Sequence, residues 1–295
     1  MSCLESSPRR RPARMGLAWL AALACLLWPP PALALDPALA PLRAYLAGQG
    51  VAPRQADALL DRPGLVFEAK LMANMFSRHE RTLDYGQFLQ PATLAKARRF
   101  KTAHAGELSA AQARTGVPAE LVVAILTVES GLGAYTGRHS TFAVLASQAV
   151  LDQPAARARL AQAWPKSQRA YLATAECDQR FRKRAAWARE ELLGLLRLAA
   201  REGRSPHSYQ GSPFGALGMP QFVPTSVLKW GADGNRDGRV DLANRSDAIH
   251  SVAVYLQEHG WRPGLNRQEQ YQVVHTYNHS QTYVNTVLAL ADRLR

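Results

Sequence analysis

Glu129 is the residue of this chain best placed to act as an acid. It follows a mostly apolar stretch, LVVAILTV over 121–128, and stands two residues before Gly131. We expect a buried helix over 118–130 that the glycine terminates. A carboxylate at the C-terminal end of a buried helix is opposed by the helix dipole, which costs about 0.3–1 kcal/mol, and by the loss of hydration. Both effects raise the pKa of Glu129, and a carboxyl group that keeps its proton near neutral pH suits general acid catalysis on a glycosidic oxygen.

A simpler role for Glu129 is an ion pair with Arg138 or with another cation. Such a pair would need no catalytic function, and it would lower the pKa of the carboxyl group instead of raising it. The residues alone leave both interpretations open.

A second candidate site lies in the segment 203–245, which is rich in Gly, Pro, Ser, Asn and Asp and is typical of an ordered functional loop. Its sequence DGNRDGRVD, over 233–241, places oxygen donors where an EF-hand calcium loop has them, with Gly238 at the sixth position. The oxygen donors would be the side chains of Asp233, Asn235, Asp237 and Asp241 and the backbone carbonyl of Arg239. The twelfth position is Asn244, which lacks the usual bidentate carboxylate, so we expect weak calcium binding or none. The alternative is an Asp/Gly-rich turn without metal.

We expect the elements that position these residues to be almost all helices. Apolar residues recur at spacings of three and four, and alternating β-branched runs are scarce. We expect Ser246 and Ser280 to cap the helices that follow them and Gly260 to end one. The predicted helices are 38–47, 54–60, 65–77, 92–114, 118–130, 141–150, 155–163, 167–175, 180–201, 224–230, 247–258, 267–276 and 280–294.

Five blocks of this sequence resemble, in order and spacing, the lytic murein transglycosylases of the membrane-bound lytic transglycosylase B type. The segment 116–133 resembles their catalytic helix, and GSPFGALGMPQFVPTS over 211–226 resembles their Gly-Ala-x-Gly-x-x-Gln-Phe-x-Pro loop. The other three blocks are 233–242, similar to their calcium loop, 247–261, similar to the helix that follows, and 277–283, similar to their Tyr-Asn block. The resemblance covers about 65–295. One departure is Ser130-Gly131, where the family commonly has Thr-Arg.

The resemblance implies a mainly α, lysozyme-like α+β fold: a helical core with a deep saccharide cleft, a helical accessory subdomain and a small loop-rich β region. Together with the N-terminal charge pattern and the charged, helix-like stretch that begins at residue 152, it predicts a division of the chain into four parts. These are a signal peptide over 1–34, an N-terminal helical region over 35–115, a catalytic core over 116–151 and 203–295, and a helical insertion over 152–202.

The resemblance further implies that Glu129 is the catalytic acid. It would protonate the oxygen between N-acetylmuramic acid and N-acetylglucosamine in peptidoglycan, and would then help the C6 hydroxyl close a 1,6-anhydro ring. The matching positions that line the saccharide cleft or lie near the glutamate are Ser212, Gln221, Tyr277 and Asn278. No cofactor is implied for the chemistry, and a calcium ion would serve only to order its loop.

The N-terminus predicts export. Four arginines up to position 14 precede the apolar run LAWLAALACLLW over 17–28, and Ala32-Leu33-Ala34 offers a cleavage site. The run is shorter than the roughly 20 residues that span a bilayer. We therefore expect a periplasmic protein cut after residue 34. Cys25 stands in a partial lipobox, and a lipid anchor to a bacterial membrane is the alternative.

The charge of the chain predicts a polyanionic partner. It has 36 Lys and Arg against 23 Asp and Glu, a net charge of +13, and 47% hydrophobic residues, which excludes a disordered protein. Removal of the first 34 residues, with four Arg and one Glu, leaves +10. Because an exported protein does not meet nucleic acid, the expected partner is the glycan strand of peptidoglycan, bound by a monomer.

Two other functions fit the same residues. A hydrolytic muramidase would use a second carboxylate, and Asp152, Asp233 or Asp247 could approach Glu129 in space. A non-catalytic peptidoglycan-binding protein would keep the cleft without turnover.

Overall fold

The computed structural model of the chain describes residues 35–77 and 84–295. The predicted signal peptide and Cys25 lie outside the described residues. No helix within the described ranges is both long enough and apolar enough to cross a membrane.

The described residues form a mainly α structure, which confirms the predicted fold class. Three short 3₁₀ segments, Tyr85–Leu89, Lys166–Ala173 and Pro206–Ser208, connect some of the helices. The α-helices are α1 (Pro41–Gly48), α2 (Pro53–Leu60), α3 (Ala69–Ser77), α4 (Pro91–Ala103), α5 (Ala105–Thr115), α6 (Ala119–Ser130), α7 (Thr141–Ala149), α8 (Pro154–Ala163), α9 (Ala175–Glu202), α10 (Pro224–Trp230), α11 (Arg245–Glu258), α12 (Arg267–Tyr277) and α13 (Gln281–Leu294).

A small antiparallel ribbon is the β structure of the described part. Strand β1 (His139–Ser140) pairs with β2 (Gln210–Gly211), with His139 opposite Gly211. The ribbon joins the loop after α6 to the loop that begins at Gly211, so it holds two segments of the predicted site together although they are about 70 residues apart in the chain.

Most helix positions agree with the predicted ones, because proline at the first turn and glycine after the last turn mark many of the ends. The predicted helix 92–114 is instead two helices that meet at His104, whose φ of −118° is not helical. The predicted helix 167–175 is a 3₁₀ segment. Ser280 caps α13 as expected, with its hydroxyl accepting a hydrogen bond from the backbone N–H of Tyr283. The expected cap at Ser246 is wrong: Asn244 caps α11, because its side-chain oxygen accepts the Ser246 N–H at 2.8 Å.

Helix α6 lies in the middle of one hydrophobic core cluster that extends from Ala38 to Leu294. Every side chain from Leu121 to Thr127 is buried, and the helix packs against α13, α4, α5 and α11. Burial on all sides fixes the axis of α6, and with it the position of Glu129 at the end of the helix.

Helix α9 packs along α7 and α10. The segment 152–202 thus contacts the predicted core over a long face. The division of the chain into an N-terminal region, a core and an insertion stays a prediction.

Candidate active site

Glu129 emerges from the buried end of α6 with its side chain only partly exposed. Its Oε1 accepts a hydrogen bond of 2.6 Å from the hydroxyl of Tyr283. Burial raises the pKa of Glu129 from 4.5 to about 7, and the hydrogen bond from Tyr283 acts in the opposite direction. Within the described residues no ion pair involves Glu129, so the alternative of a salt bridge with Arg138 finds no support there.

The turn after α6 fixes the direction of the Glu129 side chain. Gly131 and Leu132 both have left-handed backbone angles, with φ of 59° and 64°, and the Leu132 N–H donates to the Leu126 carbonyl at 2.9 Å. Ser130 is buried, and its hydroxyl accepts the Gly133 N–H at 3.0 Å. A leucine in this backbone region is unusual, and such strain is found most often at functional sites.

Tyr283 is the partner of Glu129, and the sequence did not identify it as a site residue. It lies at the start of α13, is almost fully buried, and is 154 residues from Glu129 in the chain. The sequence signal was indirect. Tyr283 stands in the block that resembles the family's Tyr-Asn block, and it lies in the first turn of the helix that Ser280 caps. The contact arises because α6 and α13 pack against each other.

Tyr277 lies beside this pair. Its ring stacks with that of Tyr283 at an interplanar angle of 11° and a centroid distance of 6.5 Å. Its hydroxyl donates to the Pro220 carbonyl at 2.6 Å, so Tyr277 also anchors the loop that carries Gln221. Burial and the nearby Glu129 carboxylate raise the pKa of Tyr277 well above its usual value, which keeps the hydroxyl a donor.

Ser212 and Gln221 shape the loop over 211–223. The Ser212 hydroxyl oxygen accepts the N–H groups of Phe214 and Ala216, at 3.2 and 3.1 Å. Gln221 has a left-handed φ of 53°, and its amide nitrogen donates to the carbonyls of Gly218 at 2.8 Å and Thr136 at 3.3 Å. Gln221 therefore ties this loop to the one that follows Glu129.

Asn278 occupies the turn between α12 and α13, where its side-chain oxygen accepts the Ser280 N–H at 3.1 Å. It helps to start the helix that carries Tyr283. In the described part of the chain, Ser212, Gln221 and Asn278 make no hydrogen bond to Glu129 itself. The residues brought into direct contact around the carboxyl group are Glu129 and Tyr283, with Tyr277 stacked behind.

The three aspartates that could have joined Glu129 are engaged elsewhere. Asp152 receives two hydrogen bonds from Arg189, at 2.6 and 2.8 Å. Asp233 accepts the N–H groups of Asp237 and Gly238 in its own loop. Asp247 is fully buried, and its carboxylate accepts backbone N–H groups from the 233–241 loop, including that of Gly234 at 2.9 Å. In the described part of the chain, the side-chain hydrogen bond to the Glu129 carboxyl group comes from Tyr283 and not from these aspartates.

The candidate calcium loop has the oxygen donors that calcium prefers, but they are turned toward backbone amides. Asn235 and Asp237 each accept a backbone N–H within the loop, and Asp241 accepts that of Ala243. Asn244, the twelfth position, is committed to capping α11. Across the described ranges no three His, Cys, Asp or Glu side chains are grouped closely enough to hold a metal ion.

Two cavities, of about 510 and 590 Å³, lie near the opposite end of α6. Lys101, Leu108 and Ala119 help to line the first, and Pro118 and Trp261 the second. Glu129 lies about 15 Å from Ala119 at the usual helical rise. Neither cavity is lined by Glu129 or by the loop that follows it. The candidate site is therefore placed at Glu129 because of the burial of its carboxyl group and its hydrogen bond to Tyr283, and not because of a cavity.

Comparisons with known proteins show which family the chain resembles. A curated relative, the membrane-bound lytic murein transglycosylase B of Escherichia coli K12, is 30% identical over 178 residues. The aligned part is 60% of this chain and 41% of the relative, so the chain spans less than half of that protein's length.

Solved structures share the fold. The soluble lytic transglycosylase SltB1 of Pseudomonas aeruginosa matches with a TM-score of 0.70 and 23% identity, over 88% of this chain and 98% of that one. The lytic transglycosylase Slt35 of Escherichia coli, in complex with calcium, matches with a TM-score of 0.65 and 21% identity, over 88% and 93% of the two chains. The model of the family described as the transglycosylase SLT domain matches residues 34–270. Since that match covers most of the sequence, this chain belongs to the transglycosylase SLT domain family.

Proposed function

We propose that this protein is a lytic transglycosylase that cleaves the β-1,4 bond between N-acetylmuramic acid and N-acetylglucosamine in peptidoglycan. The observation that carries the proposal is the carboxyl group of Glu129, whose pKa is raised by burial to about 7 and whose hydrogen-bond partner in the described part of the chain is Tyr283. A carboxyl group with such a pKa is partly protonated at neutral pH and can act first as an acid and then as a base.

The reaction would proceed through one proton that leaves Glu129 and one that returns to it. The protonated carboxyl group donates its proton to the glycosidic oxygen as the bond from that oxygen to C1 of the muramic acid breaks. The resulting carboxylate then accepts the proton of the C6 hydroxyl while O6 bonds to C1. The products are an N-acetylglucosamine hydroxyl end and a 1,6-anhydromuramic end, and no water is consumed.

Tyr283 supports Glu129 in two ways. As a donor at 2.6 Å, its hydroxyl stabilises the carboxylate that forms when the glycosidic oxygen takes the proton. The hydrogen bond also restrains the carboxyl group, which must point at the same oxygen in every turnover.

The absence of a carboxylate partner for Glu129 among the described residues favours this reaction over hydrolysis. Hydrolytic glycosidases use a second carboxyl group, about 5–10 Å from the first, to activate water or to attack the sugar. Asp152, Asp233 and Asp247 are each held by their own donors. We therefore favour the lytic reaction over the muramidase alternative.

Ser212, Gln221, Tyr277 and Asn278 are proposed to bind the saccharide, because hydroxyl and amide groups can hydrogen bond to sugar substituents without adding charge. Tyr277 and Gln221 would also keep the loop over 211–223 in place. The ligand is proposed to be a peptidoglycan glycan strand in the periplasm, reached by export or from a lipid anchor.

We also propose weak calcium binding by the 233–241 loop, which would stabilise the loop without taking part in the reaction. The hard oxygen donors support it, as does the calcium complex of Slt35. Millimolar calcium should raise the melting temperature of the protein by a few degrees at most, and Asp237→Ala should remove the increase. An equal increase with magnesium or in the variant would contradict a specific site.

Mass spectrometry of murein sacculi after digestion tests the reaction. Products that carry the anhydro mass, 18 Da below the hydrolytic ones, are expected. Reducing-end products in their place would show a muramidase.

The Glu129→Gln variant tests the residue. It should abolish cleavage while the protein still sediments with sacculi. Binding by the wild type without any cleavage would favour the non-catalytic alternative, and cleavage by the variant would refute the assignment of Glu129.

A further inference from the structure

Tyr135 is a large aromatic side chain that remains 81% exposed. Two other large apolar side chains in the described ranges are exposed, Val66 at 44% and Phe214 at 50%. A single exposed apolar side chain is common on protein surfaces and needs no explanation. Tyr135 is of interest because of its position. Tyr135 stands six residues after Glu129, in the loop that fixes the end of the catalytic helix.

Contacts on both sides of Tyr135 place it next to the site. Its backbone N–H donates to the Ser130 carbonyl at 2.9 Å, and Ser130 follows Glu129 directly. The next residue, Thr136, gives its carbonyl to the amide nitrogen of Gln221 at 3.3 Å. Tyr135 therefore lies between the end of α6 and the loop proposed to bind the saccharide.

The Tyr135 ring lies over Gly131. A Cβ atom built on Gly131 would be 3.4 Å from the Cδ2 of Tyr135 and 3.7 Å from its Cε2. A longer side chain at position 131 would compete with the ring for this space. The absence of a side chain at Gly131 therefore leaves room for the tyrosine ring.

Backbone contacts on both sides of Tyr135 restrain the loop that presents the ring. Its backbone passes through left-handed angles at Leu132, Gly133 and Gly137, with φ of 64°, 91° and 93°. The Gly137 backbone also packs against Gly211 so closely that no Cβ would fit. An exposed ring on a restrained loop is presented to solvent at little further entropic cost, as a binding surface requires.

We propose that Tyr135 is a saccharide-stacking residue at the edge of the site, where its ring packs against one pyranose ring of the bound glycan strand. A pyranose has a face of C–H groups that matches the apolar face of an aromatic ring, while the tyrosine hydroxyl remains in water or bonds to a sugar hydroxyl. The inference rests on the proposed function, because it assigns the ring to the substrate of the same site.

The test compares Tyr135→Ala with Tyr135→Phe, and uses Val66→Ala as the control for loss of an exposed apolar side chain far along the chain from the site. Tyr135→Ala should raise KM for solubilised glycan strands about tenfold and leave kcat within about twofold, because the ring contributes to binding and not to proton transfer. Tyr135→Phe should stay within about threefold of the wild type, and Val66→Ala should match it. Melting temperatures of all three variants should be unchanged, since the side chains are exposed.

Binding provides the second measurement. In the Glu129→Gln background, Tyr135→Ala should raise the Kd for a GlcNAc oligomer about tenfold in a calorimetric titration, and Tyr135→Phe should not. An unchanged Kd and KM in Tyr135→Ala, or a loss confined to kcat, would overturn the stacking role. The proposed function would still hold in that case, provided that the wild type cleaves sacculi. If the wild type neither cleaves sacculi nor binds the oligomer, the proposed function fails and the role of Tyr135 fails with it.

Discussion

At the scale of single residues, two opposed effects set the pKa of the Glu129 carboxyl group. Burial at the end of α6 raises the pKa of Glu129, and the Tyr283 hydroxyl lowers it by stabilising the charged form. The net value of about 7 leaves both protonation states populated near neutral pH. A single residue can then serve the acid step and the base step in turn.

The Tyr283→Phe variant separates these two influences. In the wild type, kcat/KM should fall as the pH rises through about 7, because Glu129 loses the proton that the proposed reaction requires it to donate. Removal of the Tyr283 hydroxyl removes a donor to the carboxylate, so the pKa of Glu129 should rise and the basic limb of the profile should move to higher pH. Initial rates on solubilised glycan strands between pH 5 and 9 measure this. A limb that stays in place or moves to lower pH would contradict the role of the hydrogen bond.

The same carboxyl group should make stability depend on pH. The pKa of Glu129 is higher in the folded protein than its ordinary value of 4.5, so the folded state binds the proton more tightly and loses stability as the pH rises from about 4.5 to 7. Glu129→Gln removes the buried charge. Its gain in the free energy of unfolding should therefore be small at pH 4.5, grow to about 2–3 kcal/mol at pH 8, and level off there. Urea unfolding at both pH values would show it, and a gain independent of pH would refute the raised pKa.

At the scale of elements, the site depends on the crossing of two loops at the ribbon of β1 and β2. Gly137 has φ of 93° and lies where any Cβ would collide with the backbone of Gly211 and Ser212. The close approach lets Gln221 reach Thr136 and brings the loop over 211–223 beside the end of α6. The conformation of the loops thus requires glycine for two reasons, its left-handed angle and its lack of a side chain.

Gly137→Ala should destabilise the protein by more than about 2 kcal/mol and strongly reduce activity, because the ribbon cannot close without a shift of backbone. Gly203→Ala is the matched control. Gly203 also has a left-handed φ, of 63°, but nothing lies within 4 Å of the Cβ position, so only the conformational cost of about 1 kcal/mol remains. Thermal and urea unfolding compare the two. Equal losses would show that the collision at the ribbon is unimportant.

The sequence predicted the elements better than the contacts between them. Proline, glycine and Ser280 marked helix ends locally, so the limits of α6 and α13 were predicted to within a residue. The break at His104 lies two residues before Gly106, but a single glycine is tolerated within a helix and the pattern of apolar residues continues across it. The bond between Tyr283 and Glu129 joins residues 154 apart, and only the packing of two helices creates it. The local spacing of apolar residues does not show which residues of two distant helices come into contact.

At the scale of the whole molecule, the chain has 36 basic residues and 23 acidic ones. The net positive charge should attract polyanions over a long range, and this attraction is separate from the chemistry of the site. Peptidoglycan carries lactyl and peptide carboxylates, so the wall should attract the protein, and salt should screen the attraction over the Debye length of about 10 Å at 0.1 M. We expect the affinity of the inactive Glu129→Gln variant for sacculi to fall several-fold between 50 and 500 mM NaCl in a sedimentation assay. Its affinity for a neutral GlcNAc oligomer should change little, because the sugar contacts are uncharged. Equal salt dependence for both ligands would show that the net charge acts on the site itself, and a flat response for sacculi would show that the charge has no part in wall binding.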